Sequence, residues 1–341
     1  MERLIESLRK ARTVLLATHQ APDGDGLGCQ LALQVVLESL GAHARAFIEG
    51  PFPAKLRFLP GAERIEDWQQ VPQADRPRLL SEFDLALVLD TYDWSMAGSL
   101  GEALRGAPLP TLFLDHHPAG AKTERPELFS DPRASSTGEL CWGLVRRLTP
   151  HVPAAAATCL YAAIAYDTNS FKYLRGQASA HRAAAELIEA GADAEAVYRH
   201  LFASRSPLRV GQLARLIEEM HQADEGRIAW LVLPRQPRVS DLTREELRDL
   251  VTFMVEMEGV EVAFTLQEEA DGTVKLSLRS MGRVPVNGVA RRLGGGGHSC
   301  AAAAQWSSTP AEAERLVLDL IREAALAASP PGCGPSPAHP A

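Results

Sequence analysis

The most informative segment of this 341-residue chain is Thr111-Leu112-Phe113-Leu114-Asp115-His116-His117. Its four apolar residues predict a buried strand, and the three polar residues follow at the point where that strand ends. In an open α/β sheet, ligands bind outside the carboxyl ends of the strands. Carboxylates and imidazoles are ligands that divalent Mn, Mg, Co or Zn accept. The stretch therefore predicts an α/β fold with a metal site at the edge of a sheet.

Other apolar segments of the chain end in the same way. Val14-Leu15-Leu16-Ala17 precedes His19-Gln20-Ala21-Pro22-Asp23-Gly24-Asp25, Leu85 to Leu89 precedes Asp90, and Ala162 to Tyr166 leads into Asp167. We expect Gly24 and Gly26 to give a tight backbone that aims both neighbouring carboxylates into one volume. The candidate ligand set is His19, Asp23, Asp25, Asp90, Asp115, His116, His117 and Asp167.

Each of these residues has an ordinary structural explanation when it is taken alone. An aspartate after a strand is commonly a turn or N-cap residue, and a histidine pair on a surface loop is unremarkable. Their coincidence in one chain favours a metal site. The residue types suit two adjacent ions that assist an in-line phosphoryl displacement.

The order and spacing of these residues resemble a known family. His19-x-x-Pro22-Asp23-x-Asp25, Asp90, Asp115-His116-His117 and Asp167-Thr168-x-x-Phe171 are similar to the four motifs of the DHH phosphoesterases. Farther along, Arg279, Asn287 and the Gly294-to-His298 loop resemble the DHH-associated substrate domain. The resemblance spans about residues 10–325, and within the family it is closest to the NrnA-type oligoribonucleases (nanoRNases).

The resemblance implies a role for each residue. One ion would be held by His19, Asp23 and Asp90, and the other by Asp25, Asp90, His116 and Asp167, with Asp90 bridging. Catalysis would also use His117, for the phosphate or the leaving oxygen, and Asp115, which would orient a neighbouring ligand. The implied substrate-binding residues are Arg279, Asn287, Gly295, Gly296, Gly297 and His298.

The two substrate-binding elements also have simpler explanations. Four consecutive glycines could form only a flexible turn, and Arg279 could be a solvent-facing strand residue. In the functional interpretation, the glycines let backbone N–H groups approach a phosphate or a base, and the arginine adds bidentate phosphate recognition.

Composition bounds the class of protein. With 46% hydrophobic residues and a net charge of −8, the chain is expected to be globular and is not suited to coating duplex nucleic acid. No apolar run of about 18 residues or signal-peptide core occurs, and the odd number of cysteines includes no C-x-x-C pair. These features predict a cytoplasmic protein without membrane attachment.

The alternation of strands and helices predicts two domains of α/β class, an N-terminal mostly parallel sheet flanked by helices and a smaller C-terminal α/β domain, with the active site in the cleft between them. The expected boundaries are 1–177 for the catalytic domain, 178–224 for a helical connector, 225–328 for the substrate domain and 329–341 for a disordered Pro/Gly-rich tail. Capping boxes predict helix starts at Ser136, Thr243 and Thr309, and Asp271-Gly272 predicts a hairpin.

The predicted function is hydrolysis of short oligoribonucleotides and of 3′-phosphoadenosine 5′-phosphate with two divalent ions, Mn²⁺ before Mg²⁺ or Co²⁺. Partners would be short single-stranded RNA or DNA and small nucleotides, and a homodimer is possible. The alternatives are a cyclic or linear dinucleotide phosphodiesterase, an inorganic pyrophosphatase, and a nucleic-acid-binding module without catalysis.

Overall fold

The computed structural model describes residues 1–117, 127–174, 178–204, 207–233, 235 and 244–328. The chain divides into two compact units, Met1–Ser204 and Arg205–Ala341. The predicted tail 329–341 and the predicted helix cap Thr243 lie outside the described residues. No helix in the described ranges is long and apolar enough to cross a membrane.

The first unit is built on a parallel sheet. Within the described residues, six strands pair in parallel in the order β3-β2-β1-β4-β5-β6. Their bounds are β1 Thr13–Ala17, β2 His43–Ile48, β3 Glu66–Asp67, β4 Leu85–Leu89, β5 Thr111–Asp115 and β6 Glu127–Ser130. The strand order reverses between β1 and β4, and such a switch point opens a crevice outside the carboxyl ends of the strands.

Helices cover both faces of this sheet. They are α1 Glu2–Lys10, α2 Gly24–Ser39, α3 Arg76–Leu80, α4 Gly98–Gly106, α5 Thr137–Leu148, α6 Ala154–Asp167, α7 Ser179–Glu189 and α8 Ala194–Phe202. Alternate residues of β1 enter opposite cores, because Val14 and Leu16 pack with α2, α5 and α6, whereas Leu15 and Ala17 pack in the core with α4. Both faces of the strand are therefore apolar, as buried parallel sheets require.

Helices α7 and α8 belong to the core of this first unit. Ala180, Leu187, Val197 and Leu201 are buried in the same core as α2 and α6. These residues fall in the range that the sequence analysis assigned to a connector between domains.

The second unit has a mixed sheet. Its described strands have the order β11-β12-β10-β9-β8-β7, and all neighbours are antiparallel except β8 and β9. The strands are β7 His221–Ala223, β8 Ile228–Leu233, β9 Val262–Glu268, β10 Thr273–Ser280, β11 Gly296–His298 and β12 Ala301–Ser307. The helices are α9 Pro207–Ile217, α10 Arg244–Val255, α11 Asn287–Arg292 and α12 Pro310–Ala328. The two-domain α/β class predicted from the sequence is confirmed.

Local signals in the sequence also correspond to observed structure. Ser136 is the N-cap of α5, and its hydroxyl accepts the Glu139 N–H at 3.1 Å. Thr309 and Glu312 form reciprocal bonds at the start of α12. At the predicted hairpin between β9 and β10, Gly272 has φ +78°, a left-handed conformation that favours glycine.

Helices α2 and α6 pack closely against each other in the first unit. A Cβ on Gly28 of α2 would lie 2.5 Å from the Cys159 carbonyl oxygen and 2.9 Å from the Ala163 Cβ in α6. The absent side chain therefore lets the two helix backbones approach each other, and α6 carries the candidate ligand Asp167 at its last position.

We expect Gly28→Ala to destabilise the protein by about 1–3 kcal/mol, because the added methyl overpacks the contact between α2 and α6. The matched control is Gly143→Ala in α5, where an added Cβ meets nothing within 4 Å. This control should raise stability by about 0.5–1 kcal/mol through helix propensity. Urea unfolding of both variants measures the two effects, and equal changes would contradict the proposed packing role of Gly28.

Candidate metal centre

The predicted ligands of the first unit converge at the switch point between β1 and β4. His19 follows β1 and Asp90 follows β4, and His19 Nε2 lies 3.6 Å from Asp90 Oδ2. Asp23 Oδ1 is 3.8 Å from the same imidazole nitrogen. His19, Asp23 and Asp90 thus form one group whose ligand atoms lie within 4.8 Å of one another.

A second group surrounds His116. Its Nε2 is 3.5 Å from Asp167 Oδ2, 3.9 Å from Asp25 Oδ2 and 3.8 Å from Asp90 Oδ1. Asp25, His116 and Asp167 again offer ligand atoms within 4.8 Å of one another. Asp90 faces both groups, since Oδ2 points toward His19 and Oδ1 toward His116.

Asp115 holds both histidines of its own triplet. It is fully buried, and Oδ1 accepts the backbone N–H of His116 at 2.8 Å and lies 2.8 Å from His117 Nδ1. His116 Nδ1 lies 3.3 Å from the Ala134 carbonyl oxygen, which can only accept a hydrogen bond. His116 Nδ1 therefore carries the proton in this contact, and Nε2 directs its lone pair at the carboxylates.

The N-terminus of α5 holds the carboxylate of Asp25 through hydrogen bonds. These bonds join residues that are far apart in sequence. The backbone N–H groups of Thr137 and Gly138 donate to Asp25 Oδ2 and Oδ1, each at 2.7 Å. Positive partial charge at a helix N-terminus favours a carboxylate there. No motif in the sequence indicated these two donors, although the capping box at Ser136 located the helix start where they lie.

Gly24 and Gly26 have a different role from the one the sequence analysis expected. Both lie in the first turn of α2 and need no left-handed backbone. A Cβ on Gly24 would lie 2.4 Å from the Tyr166 ring, and one on Gly26 would lie 2.2 Å from Thr18 Oγ1. The two glycines therefore permit close packing next to the site, and Asp23 serves as the N-cap whose carboxylate accepts the Asp25 and Gly26 N–H groups.

Strained backbone surrounds two of the acids. Asp90 has φ +59°, and the three residues after Thr168, namely Asn169, Ser170 and Phe171, have φ +49°, +59° and +65°. Left-handed non-glycine residues cost roughly 1–3 kcal/mol each and cluster at functional sites. The buried Thr168 hydroxyl donates to the Ile164 carbonyl at 2.6 Å and accepts the Phe171 N–H at 2.9 Å, so it ties this turn to the end of α6.

Burial and mutual repulsion set the electrostatics of the cluster. Burial, reinforced by the charges of Asp90 and Asp167, raises the pKa of Asp25 well above its usual range, and burial also raises the pKa of Asp167. Burial opposes the ionisation of Asp90 as well, but the hydrogen bond from His19 and the nearby imidazoles hold its pKa below the usual range. Burial lowers the pKa of His19, yet hydrogen bonds to Asp23 and Asp90 raise it overall to about 10.

This donor set fits divalent cations. Carboxylate oxygens and imidazole nitrogens crowd one buried volume, where the carboxylates repel one another unless positive charge lies among them. Without an ion, protons on His19 and His117 supply that charge, whereas a divalent ion supplies more of it and accepts the oxygen and nitrogen ligands present. The residues could hold two ions on either side of Asp90.

The predicted substrate-binding residues belong to the second unit. Sheet register places Arg279 of β10 opposite Ala301 of β12, and Ala301 opposite His298 of β11. Arg279 and His298 therefore share one face of the sheet, with the small Ala301 between them. Asn287 begins α11 beside them, since the N–H of the preceding Val286 donates to the Ser299 carbonyl at 2.9 Å.

The glycine run is partly an edge strand rather than only a turn. Gly296, Gly297 and His298 form β11, and a Cβ on Gly295 or Gly297 would lie 2.0 or 2.5 Å from a carbonyl oxygen of β12. These two glycines are required for close backbone approach. Added Cβ atoms on Gly294 and Gly296 would meet nothing within 4 Å.

Comparison with known proteins identifies both units. The DHH family N-terminal domain matches residues 13–164, and the DHHA1 domain matches residues 235–326. A solved exopolyphosphatase-related protein from Bacteroides fragilis has the same fold, with a TM-score of 0.86 and 23% identity over 96% of both chains.

Two curated relatives match most of this chain. The cyclic-di-AMP phosphodiesterase GdpP of Geobacillus thermodenitrificans is 31% identical over 94% of this chain, which spans only 49% of that relative. The bifunctional oligoribonuclease and PAP phosphatase NrnA of Thermus thermophilus is 29% identical over 94% of this chain and 93% of its own length. The chain thus spans about half of the first relative and nearly all of the second.

We expect binding of Mn²⁺ to release protons and to strengthen as pH rises from 6 toward 9. The reason is that the pKa of His19 is raised to about 10 in the metal-free protein, so its imidazole holds a proton that a metal ligand must lose. Calorimetric titrations in buffers of different ionisation enthalpy count the released protons. His19→Gln should release fewer protons, whereas His43→Gln, at an exposed position on β2, should match the wild type. Affinity that is constant over this pH range would contradict the assignment of His19.

Proposed function

We propose that this chain, which belongs to the DHH family and carries DHH and DHHA1 domains, hydrolyses short oligoribonucleotides to nucleoside 5′-monophosphates and 3′-phosphoadenosine 5′-phosphate to AMP. The observation that carries the phosphoesterase chemistry is Asp90, whose two carboxylate oxygens face two separate ligand groups. The substrate class is supported by the match to NrnA over nearly the full length of both proteins.

The proposed ligands follow the two groups. One ion would be held by His19, Asp23 and Asp90, and the other by Asp25, Asp90, His116 and Asp167. Mn²⁺ is the preferred ion and Mg²⁺ or Co²⁺ are alternatives, because the set contains carboxylates and imidazoles but no thiolate. When bound, two such ions lower the pKa of a water nucleophile and neutralise negative charge on the phosphoryl oxygens.

The histidine triplet divides the remaining chemistry. Asp115 Oδ1 accepts the Nδ1 proton of His117 at 2.8 Å and so orients the ring. Burial lowers the pKa of His117, but Asp115 and the neighbouring acids raise it overall to about 9. The half-buried His117, oriented by Asp115, is the proposed donor of a hydrogen bond to the phosphate or of a proton to the leaving oxygen.

The face of the second sheet that carries Arg279 and His298 would bind the part of the substrate beyond the scissile phosphate. An arginine offers bidentate hydrogen bonds to a phosphate, and the small side chain of Ala301 leaves room for a flat group above the sheet. Asn287 and the backbone of Gly296 and Gly297 are the proposed polar contacts, whereas the N–H of Gly295 already donates to the Ala290 carbonyl at 2.8 Å. A homodimer and a cytoplasmic location remain predictions from the sequence.

A dinucleotide phosphodiesterase is the second candidate function. It is favoured by the 31% identity to the cyclic-di-AMP phosphodiesterase, over 94% of this chain. The match to NrnA covers 93% of that relative, and the motif resemblance also favours it. We place short oligoribonucleotides first and dinucleotide messengers second.

A substrate panel with Mn²⁺ tests the proposed function. We expect di- to pentaribonucleotides and 3′-phosphoadenosine 5′-phosphate to be hydrolysed fastest, with cyclic dinucleotides slower and pyrophosphate poor. Chelation should abolish all rates.

Asp90→Asn should lower turnover by orders of magnitude because it weakens the shared ligand, whereas Asp319→Asn, on an exposed carboxylate of α12, should not. Fastest hydrolysis of cyclic dinucleotides would select the second candidate, and full activity with chelator would refute the metal-dependent reaction.

Recognition by the second unit is tested by Arg279→Ala. Loss of a charge-assisted hydrogen bond costs about 1.5–3 kcal/mol, so kcat/KM for nucleotide substrates should fall about 10- to 100-fold. The rate on bis-p-nitrophenyl phosphate, which lacks a nucleoside, should stay within about twofold. Arg315→Ala on α12 is the control arginine and should leave both rates intact. Equal losses on both substrates would assign Arg279 to the fold or the chemistry instead.

A further inference from the structure

The side chain of Thr137 contacts the carboxylate that faces both ligand groups. Its hydroxyl Oγ1 donates to Asp90 Oδ1 at 2.9 Å, and the bond joins residues 47 positions apart. Thr137 is fully buried, and only 4% of Asp90 is exposed. A hydrogen bond to a charged group in such surroundings is stronger than one at the surface, because water does not compete for either partner.

The backbone of the same residue holds a different carboxylate. Thr137 N–H donates to Asp25 Oδ2 at 2.7 Å, while the neighbouring Gly138 N–H donates to Asp25 Oδ1 at 2.7 Å. Thr137 therefore contacts two acids of the proposed centre with two different groups. Replacing its side chain removes only the contact with Asp90 and retains the N–H that holds Asp25.

The start of α5 does not require this hydroxyl. Ser136 is the N-cap, and its Oγ accepts the Glu139 N–H at 3.1 Å. Glu139 Oε2 in turn accepts the N–H and the hydroxyl of Ser135 at 2.9 and 2.7 Å. Ser135, Ser136 and Glu139 complete the cap, so the Thr137 hydroxyl makes its contact outside the helix.

The orientation of the Asp90 carboxylate decides whether it can serve two ions. Oδ1 lies 3.8 Å from His116 Nε2, and Oδ2 lies 3.6 Å from His19 Nε2. A rotation of the carboxylate about its Cβ–Cγ bond would turn one oxygen away from each histidine. The hydroxyl of Thr137 opposes that rotation because it is bound to Oδ1.

We propose that Thr137 is a positioning residue that fixes the bridging orientation of Asp90. This inference rests on the proposed two-metal function. Contacts that orient a metal ligand typically change metal affinity by about 10- to 100-fold when they are removed. The absence of the hydroxyl should therefore weaken binding of the ions that share Asp90 while the fold and the other ligands remain.

The test measures binding of Mn²⁺ alone to the full chain by titration calorimetry. Thr137→Val keeps a branched side chain and removes the hydroxyl, and it should weaken at least one of two Mn²⁺ ions about 10- to 100-fold. Thr137→Ser keeps the hydroxyl and should bind Mn²⁺ within about threefold of the wild type. Thr158→Val is the matched control, since this buried hydroxyl in α6 donates to the Ala154 carbonyl at 2.9 Å and contacts no ligand of the centre.

The outcomes separate the inference from the proposed function. Two Mn²⁺ ions on the wild type with unchanged affinity in Thr137→Val would overturn the role of Thr137 and leave the two-metal function standing. Fewer than two Mn²⁺ ions on the wild type would overturn the two-metal function itself. An equal loss of affinity in Thr158→Val would show general loosening and also overturn the positioning role. If thermal unfolding shows that Thr137→Val does not fold, Thr137→Ala replaces it with the same expectations.

Discussion

Repulsion among buried carboxylates has to be balanced by the residues around the site of the first unit. Two unit charges about 4 Å apart interact by about 4 kcal/mol at the effective dielectric of a protein site, and Asp25, Asp90 and Asp167 all lie around one imidazole. The surrounding fold offsets part of this repulsion. The helix dipole and two amides of α5 act on Asp25, the histidines act on Asp90, and Asp115 holds two of those histidines in place. A divalent ion bound there would complete the balance and would stabilise the folded state by mass action.

The strand order explains why these residues meet. The chain builds β1, β2 and β3 in one direction and then returns to place β4 on the other side of β1, which opens a crevice where His19 and Asp90 follow adjacent strands. The sequence predicted that polar residues follow apolar strands, because a strand buried on both faces has a continuous apolar run. Periodicity alone could not order the strands. The motif resemblance supplied the grouping of His19 with Asp90.

Other features had no signal in the sequence that periodicity or motif spacing could detect. The two amides that hold Asp25 come from residues more than 100 positions away, and only the packing of α5 against α2 brings them there. For Gly24 and Gly26 the sequence predicted a tight backbone that aims the carboxylates, since a glycine required for close packing has the same letter as one required for a special backbone conformation. In the second unit, the row from Arg279 through Ala301 to His298 depends on antiparallel register between strands that the sequence could locate but not align.

The relatives of this chain are named for different substrates. Relatives named for cyclic-di-AMP hydrolysis and for oligoribonuclease activity each match 94% of this chain at similar identity. The metal chemistry of phosphate ester hydrolysis is the same for both substrate classes, because each presents a phosphodiester to the ions. A common centre cannot by itself distinguish a cyclic dinucleotide from a short linear strand. Under the proposed function, discrimination would come from side chains that contact the substrate beyond the scissile phosphate, and the face of the second sheet that carries Arg279 and His298 is the proposed source of those contacts.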